Sequence, residues 1–364
     1  MLIAREGNIR APIFAVVMLI FGVGSGEVWG NGSDRAVLVV VGTPGEEEYE
    51  ELFLEAEGVI ANRCLEAGVE YYVVGAGVDE GKDREEVERI LSELTAADDG
   101  ELWVILLGHG TYDGREAKFN VRGADFSATE LDAWLAPKKE GVIVVNTASS
   151  SGPFLGGISG PGRVVITATK SGDEVFLTQF GRLFAEALGD EEGEQSDLDG
   201  DGQVSLLEVF LTASRGVSEY YAERGLLATE HSLLDDNGDK RGTAADWFSG
   251  VRVVKKAKED VTPDGLRAHQ VHLVPSEDEL ALPTALRKRR DELELEVMQL
   301  RYAKEEMSDE AYYRKLERVF VEMAALYDEL GRESVHDAKR NGVGEFPRGE
   351  ESADKGVLSG ERAR

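Results

Sequence analysis

Two short segments and one acidic loop hold the residue types that can do chemistry. The first segment is LLGHGTYDG, in which His109 stands between Gly108 and Gly110 at the end of an apolar run. The second is VVNTASSSGPF, which brings Ser149, Ser150 and Ser151 together just before Gly152. An imidazole flanked by glycines suits a general base, and a serine on a tight turn offers a hydroxyl nucleophile. Gly110, Ser150, Ser151 and Gly152 would form the turns and carry the backbone N–H groups that a developing oxyanion needs. The plain alternative for each segment is a strand-end turn without chemistry.

The acidic loop is DLDGDGQVSLLE, residues 197–208. Asp197, Asp199 and Asp201 place carboxylates at positions 1, 3 and 5, and Gly202 at position 6 permits a sharp turn. Gln203 offers its backbone carbonyl at position 7, Ser205 can hold a water at position 9, and Glu208 can bind bidentately at position 12. Oxygen donors at this spacing fit Ca2+ in the EF-hand pattern, and an amphipathic stretch follows as an exiting helix. A weaker copy places Asp235, Asn237, Asp239, Thr243 and Asp246 at positions 1, 3, 5, 9 and 12. There Lys240 replaces the turn glycine, which leaves a structural Asp/Asn turn as the alternative. The remaining histidines, His231, His269, His272 and His336, have no zinc-ligand spacing.

The elements that position these groups follow from hydrophobic patterning. Apolar runs at 36–41, 71–74, 102–107, 142–146 and 164–169 are nearly continuous, as strands buried on both faces are. Helical patterns occupy 46–67, 83–96, 127–135 and 174–188. The alternation predicts an α/β fold with a doubly wound, mainly parallel sheet. Its third and fourth strands should be neighbours near the centre, with the functional loops at their C-terminal ends. Neighbouring strands lie ~4.8 Å apart, so His109 and Ser149 can share one centre.

Together these segments resemble the caspase and legumain peptidases. In that family an apolar strand ends in His-Gly, and the next strand ends in a small residue, Cys, then x-Ser-Gly. LLGHG matches the first part, with His109 at the catalytic histidine position. Ala148 to Gly152 matches the second, with Ser149 at the cysteine position, and 164–172 resembles the strand whose exit loop lines the family's substrate pocket. The resemblance covers roughly residues 34–190 and implies a peptide or protein as substrate or ligand. The departure is the nucleophile. A thiol has a pKa near ~8.5 and ionises readily, whereas a serine hydroxyl needs concerted base catalysis. Three readings stand open: a pseudo-peptidase, a hydrolase using Ser149 with His109, and a non-catalytic calcium-stabilised peptide-binding or scaffold module.

The rest of the chain sets limits. Its net charge of -31 disfavours nucleic acid as a partner. The single cysteine, Cys64, excludes an internal disulfide framework and falls in a helical pattern as a buried residue. Arg5 and Arg10 precede an apolar stretch at 11–23 and small residues at Gly24 to Gly26, so 1–30 is expected to be a signal peptide. The alternative is an uncleaved membrane anchor, and either puts the protein outside the cytoplasm, secreted or periplasmic. The expected organisation continues with the α/β domain over 34–190 and an EF-hand-like calcium-binding region over 191–250. Residues 251–280 connect onward, and their strand-like stretches 251–254 and 272–274 would complete the sheet. A helical hairpin or coiled coil over 281–331 would follow, then a disordered tail over 332–364. The second hairpin helix shows an apolar heptad seam at Tyr313, Leu316, Phe320, Met323, Tyr327 and Leu330, which suits packing within the hairpin or oligomerisation.

Overall fold

The computed structural model describes residues 35–340 apart from 79–80, 97–99, 191–192 and 256–262. The signal or anchor expected over 1–30 and the tail beyond 340 lie outside these residues. No helix among those described is long and apolar enough to cross a membrane.

The chain opens with β1 (Arg35–Val41), α1 (Glu47–Glu66), β2 (Glu70–Val74), α2 (Asp83–Leu94) and β3 (Glu101–Leu107). A small antiparallel trio follows, β4 (Gly110–Tyr112), β5 (Ala117–Phe119) and β6 (Phe126–Ser127), and then α3 (Ala128–Leu135). Next come β7 (Val142–Asn146), α4 (Gly152–Ile158), β8 (Arg163–Thr167) and α5 (Phe180–Leu188). They are followed by α6 (Leu206–Glu223), β9 (Leu233–Asp235), β10 (Thr243–Ala244), β11 (Phe248–Ser249) and β12 (Arg252–Val253). Three helices complete the described chain: α7 (Glu277–Ala281), α8 (Thr284–Tyr302) and α9 (Asp309–Arg340).

The main sheet runs in the order β10-β9-β8-β7-β3-β1-β2. Its five sequence-predicted strands are parallel, and β3 and β7 are neighbours as expected. β9 and β10 add antiparallel pairings at one edge. The strands' continuous apolar character serves two layers because successive side chains point to opposite faces. Val39, Ile105 and Val145 pack with Ile60 and Cys64 of α1, Phe184 of α5 and Phe210 of α6. Leu38, Val104 and Val144 face Val87 of α2, Leu131 of α3 and Phe154 of α4. The fold is thus α/β, with helices on both faces of a mainly parallel sheet. Burying each large apolar side chain contributes roughly 1.5–3 kcal/mol. Cys64 belongs to this core, and burial pushes its thiol up to about 12, as an inert structural cysteine requires.

Several expectations change. The helix expected over 174–188 begins only at Phe180, because the Glu230 carboxylate accepts the Gln179 and Phe180 N–H groups and holds that terminus. The strand-like stretch 251–254 joins a separate two-stranded ribbon, and 272–274 forms no strand, so 251–280 does not complete the sheet. β9 and β10 do so, within 191–250. That region is therefore built into the α/β body, and α6 buries Leu207, Val209 and Phe210 in its core.

The C-terminal hairpin is present as α8 and α9, and the backbone of α9 continues past 331 to Arg340. Its seam differs from the expected one. Leu293, Val297 and Leu300 of α8 pack on Tyr312 and Val319, with Leu316 and Met323 beside them. The sequence carries tandem apolar residues, Tyr312–Tyr313, Val319–Phe320 and Leu326–Tyr327. The first of each pair is buried and the second is left exposed.

Beside the sheet, Asp264 fastens the β9–β10 turn to the segment that follows the ribbon. It accepts the Asp236 N–H at 3.1 Å and the Thr243 hydroxyl at 2.5 Å. Asp236 in turn accepts N–H groups from Gly265, Arg267 and Ala268. Burial, then the nearby Asp236 charge, pushes the Asp264 carboxyl up to about 8. A carboxyl raised above its unfolded value of ~3.9 stabilises the fold fully below that value and loses the contribution as pH rises. The loss should be complete once pH passes through about 8. The melting temperature should therefore fall between about pH 4 and about pH 8. Asp264→Asn, which mimics the neutral acid, should fall less. Equal losses in both proteins by thermal denaturation would remove Asp264 as the cause.

Candidate functional site

β3 and β7 pair from Leu102↔Val142 to Leu106↔Asn146, so their C-terminal ends leave the sheet side by side. The Thr147 N–H and hydroxyl both reach the Leu106 carbonyl, at 3.0 and 2.8 Å, and extend this alignment by one residue. The Asn146 side chain accepts the Ala148 N–H at 3.0 Å and turns the chain toward the serines. The loop ends then meet at Gly110 and Ser149. A Cβ on Gly110 would lie 2.4 Å from the Ser149 carbonyl oxygen, and one on Gly152 would lie 2.5 Å from the Lys170 carbonyl carbon. Only glycine allows these backbone approaches.

The structure thus brings the His109 and Ser149 segments together, but it does not couple the two side chains to each other. The Ser149 Oγ donates to the Gly110 carbonyl and accepts the Gly110 N–H, both at 3.3 Å, with the residue only 2 % exposed. His109 hydrogen-bonds through Nε2 to the Pro44 carbonyl at 3.1 Å. That carbonyl can only accept, so Nε2 carries the proton. The Tyr49 and Phe53 rings meet the imidazole edge-on, each with its centroid 5.4 Å away. Sequence reading found His109 but not Pro44, Tyr49 and Phe53. They lie some sixty residues upstream in an amphipathic stretch with no catalytic signature.

The remaining serines are also engaged. Ser150 has a φ of 53°, a left-handed conformation that costs a non-glycine residue about 1 kcal/mol or more. It is held there because its N–H donates to the Glu174 carbonyl at 2.8 Å and its hydroxyl to the Gly172 carbonyl at 2.9 Å. The Ser151 hydroxyl shares a bond with the Thr169 hydroxyl at 3.1 Å and accepts the Thr169 N–H. The Gly152 N–H donates to the Thr169 Oγ1 at 2.9 Å. Of the expected oxyanion donors, Gly110, Ser150 and Gly152 therefore each have an internal acceptor already. Thr169 was not singled out as part of the site, because it lies beyond the end of β8 and its role depends on the loop crossing.

The acidic loop draws part of its predicted set together. Carboxylate oxygens of Asp197, Asp199 and Glu208 lie within 4.8 Å of one another. Glu208 is buried and does two jobs. Its Oε2 accepts the Ser205 N–H at 2.8 Å and closes a capping box on α6, while its Oε1 accepts the Leu198 N–H at 2.7 Å. Asp197 accepts N–H groups from Gly200, Asp201 and Gly202, which winds the loop around it. Asp201 accepts the Gln203 N–H and lies outside the converging trio, and the Gln203 side chain accepts the Ser276 N–H at 2.9 Å. The all-oxygen donor set suits a hard cation. The flanking structure departs from a helix–loop–helix unit, however. α5 ends at Leu188, and a turn held by Asp190 intervenes before Asp197, so only the exiting helix is continuous with the loop.

The second Asp-rich segment forms the connection between β9 and β10. Asp235 ends β9, is buried, and accepts from the Ser159 hydroxyl and the Gly238 N–H. Asn237 and Asp239 accept N–H groups within the turn, and Lys240 holds a φ of 68° where the pattern wants glycine. Asp246 is exposed and ion-paired with Lys255 at 2.5 Å. Asp235, Asp239 and Asp246 do not converge as a carboxylate cluster of the kind seen at residues 197–208.

Burial holds the His109 imidazole below its ordinary range, opposed in part by the Pro44 carbonyl. Neutral imidazole is thus the form the fold favours, and stability should drop as pH falls through the unfolded value of ~6.5. Titration of His109 by NMR should give a midpoint below that value, and Phe53→Ala, which opens the ring to water, should raise it. A midpoint at or above ~6.5 in the parent protein would contradict this account.

No protein-family model matches the chain, and no curated protein matches it. Solved structures do. The Drosophila initiator caspase Dronc aligns with a TM-score of 0.36 and 11% identity, over 57% of this chain and 81% of Dronc. Caspase-1 from Spodoptera frugiperda aligns with a TM-score of 0.35 and 11% identity, over 57% of this chain and 88% of that one. Protein GSU0716 from Geobacter sulfurreducens gives a TM-score of 0.37 and 11% identity, over 55% of this chain and 92% of that one. The likeness is one of α/β architecture at low scores, and it carries neither family membership nor activity.

Proposed function

We propose that this chain is an exported pseudo-peptidase of caspase/legumain type, catalytically silent at Ser149, that recognises peptide without cutting it and is stabilised by Ca2+. The observation that carries the silent site is the closed hydrogen-bond set around the serines. The Ser149 Oγ is held on Gly110, the His109 Nε2 is held on Pro44, and the N–H groups of Gly110, Ser150 and Gly152 already have acceptors. A serine nucleophile needs its base within hydrogen-bond reach and free donors for the oxyanion. Meeting both needs here means breaking several buried hydrogen bonds at once, each with a net worth of about 1 kcal/mol.

The calcium part rests on the spacing of residues 197–208 and on the convergence of Asp197, Asp199 and Glu208. A bound ion would offset the repulsion among these carboxylates and fix the start of α6. Gln203 and Ser205 complete the proposed ligand set through a backbone carbonyl and a water. Export is supported by the charge and apolar pattern of residues 1–30.

Two experiments test this reading. A diverse peptide library incubated with the protein and millimolar Ca2+ should show no turnover above background, for the parent and for Ser149→Ala alike. Cleavage that disappears in Ser149→Ala would establish a serine hydrolase instead. Calorimetry should detect one Ca2+ per chain and a calcium-dependent rise in melting temperature. Glu208→Gln keeps the capping geometry but removes the charge, and it should weaken binding more than about tenfold. Absence of both calcium heat and thermal shift in the parent protein would rule out the calcium site.

A further inference from the structure

We propose that α9 joins two copies of this chain in an antiparallel pair, around a two-fold axis passing near Phe320. The inference stands on the hairpin alone and is independent of the silent site and of calcium. α9 carries more apolar surface than its own hairpin can cover. Tyr312, Leu316, Val319 and Met323 form the seam against α8, on the two heptad positions that a pair of helices can bury. Tyr313, Phe320 and Tyr327 recur every seven residues alongside that seam, and they are 58 %, 46 % and 52 % exposed. A face of this width belongs to a helix with more than one neighbour, as in a four-helix bundle. Two hairpins placed side by side make such a bundle.

The stripe fits a second copy of itself. Each exposed aromatic is followed by an exposed residue about 100° further round the helix: Arg314 after Tyr313, Val321 after Phe320 and Asp328 after Tyr327. An antiparallel pairing centred on Phe320 sets Tyr313 against the partner's Tyr327 and Arg314 near the partner's Asp328. It also sets Phe320 and Val321 against their own counterparts. A parallel pairing would oppose Arg to Arg and Asp to Asp. The in-chain pair Arg314–Glu310 is an exposed one, which water and a competing partner exchange at little cost. Room for the central side chain exists as well. Phe320 and Met323 line a cavity of about 560 Å³ together with Leu295 and Met298 of α8 and with Asp199 and His269 of the body. An isologous two-fold contact of this kind closes on itself and leaves no unsatisfied copy of the stripe. With a net charge of -31, indiscriminate association is opposed, so contact depends on a locally complementary surface.

Sedimentation of the full chain over a range of concentrations tests this. The parent should approach twice its monomer mass of 39.7 kDa as concentration rises. Phe320→Glu should weaken the dimer more than about tenfold while helix content by circular dichroism is unchanged. Arg314→Asp and Asp328→Arg should each weaken it several-fold, and the double variant should restore it, because the swap only exchanges the two ends of an antiparallel pair. A parent that stays monomeric throughout overturns the proposal, as does a dimer indifferent to Phe320→Glu. A double variant weaker than either single overturns the antiparallel arrangement. Tyr313 and Tyr327 shielded from iodination in a monomeric parent would assign the stripe to the chain's own residues 341–364, against a second copy.

Discussion

The backbone pairing of β3 with β7 is the constraint on which the strand-end structure depends. It runs without interruption to Leu106↔Asn146, and Thr147 adds a further bond to the Leu106 carbonyl. From that point both chains must leave the sheet in the same direction within a few ångströms of each other. The groups nearest to hand are then each other's backbone atoms, and the Gly110–Ser149 contact follows. The trio β4–β5–β6 starts at Gly110 itself, so the exit path of the histidine loop is fixed by a second set of ladder bonds. Two loops locked in this way form a rigid floor. Their side chains answer to neighbours on that floor before they answer to any ligand.

The acidic loop is tied into the body at several separate points. Glu208 joins it to α6, the Leu206 N–H donates to the Val271 carbonyl, and the Asp199 carboxylate meets the His269 Nε2 at 2.9 Å. Gln203 adds the contact to Ser276, and Arg290 of α8 grips Glu279 of α7 with two bonds. A continuous series of polar contacts thus runs from residues 197–208 through the 264–282 segment to the hairpin. Order in the loop and orientation of the hairpin are mechanically related, whichever ion or side chain supplies the order.

Much of the α/β body was legible in the sequence because parallel strands buried on both faces leave a nearly continuous apolar signature. The 142–146 run matches its strand residue for residue, and the helical pattern at 127–135 is α3 with Ser127 as its cap. What was illegible depended on partners distant in sequence. Leu233–Asp235 is a strand only because β8 presents an open edge, and the start of α5 is set by Glu230, fifty residues away. The hairpin seam shows a different limit. With two apolar residues side by side at every second turn, periodicity cannot say which of them faces α8, and packing decides. At the candidate site, residue types and strand order predicted the meeting of the His109 and Ser149 loops. They could not predict side-chain direction, which the Pro44 and Gly110 carbonyls set.

The close approach at Gly110 and Gly152 bears on how such a site can change over time. Both glycines lie close against backbone, and the Ser151–Thr169 bonds stitch the same crossing together. These positions are therefore not free to drift, since almost any replacement would wedge the strand ends apart. A Gly-His-Gly beside a small-residue turn is kept in place by this packing, whatever chemistry its side chains do or do not perform. In a fold of this type, the signature of an enzyme and the signature of its scaffold are written in the same few letters.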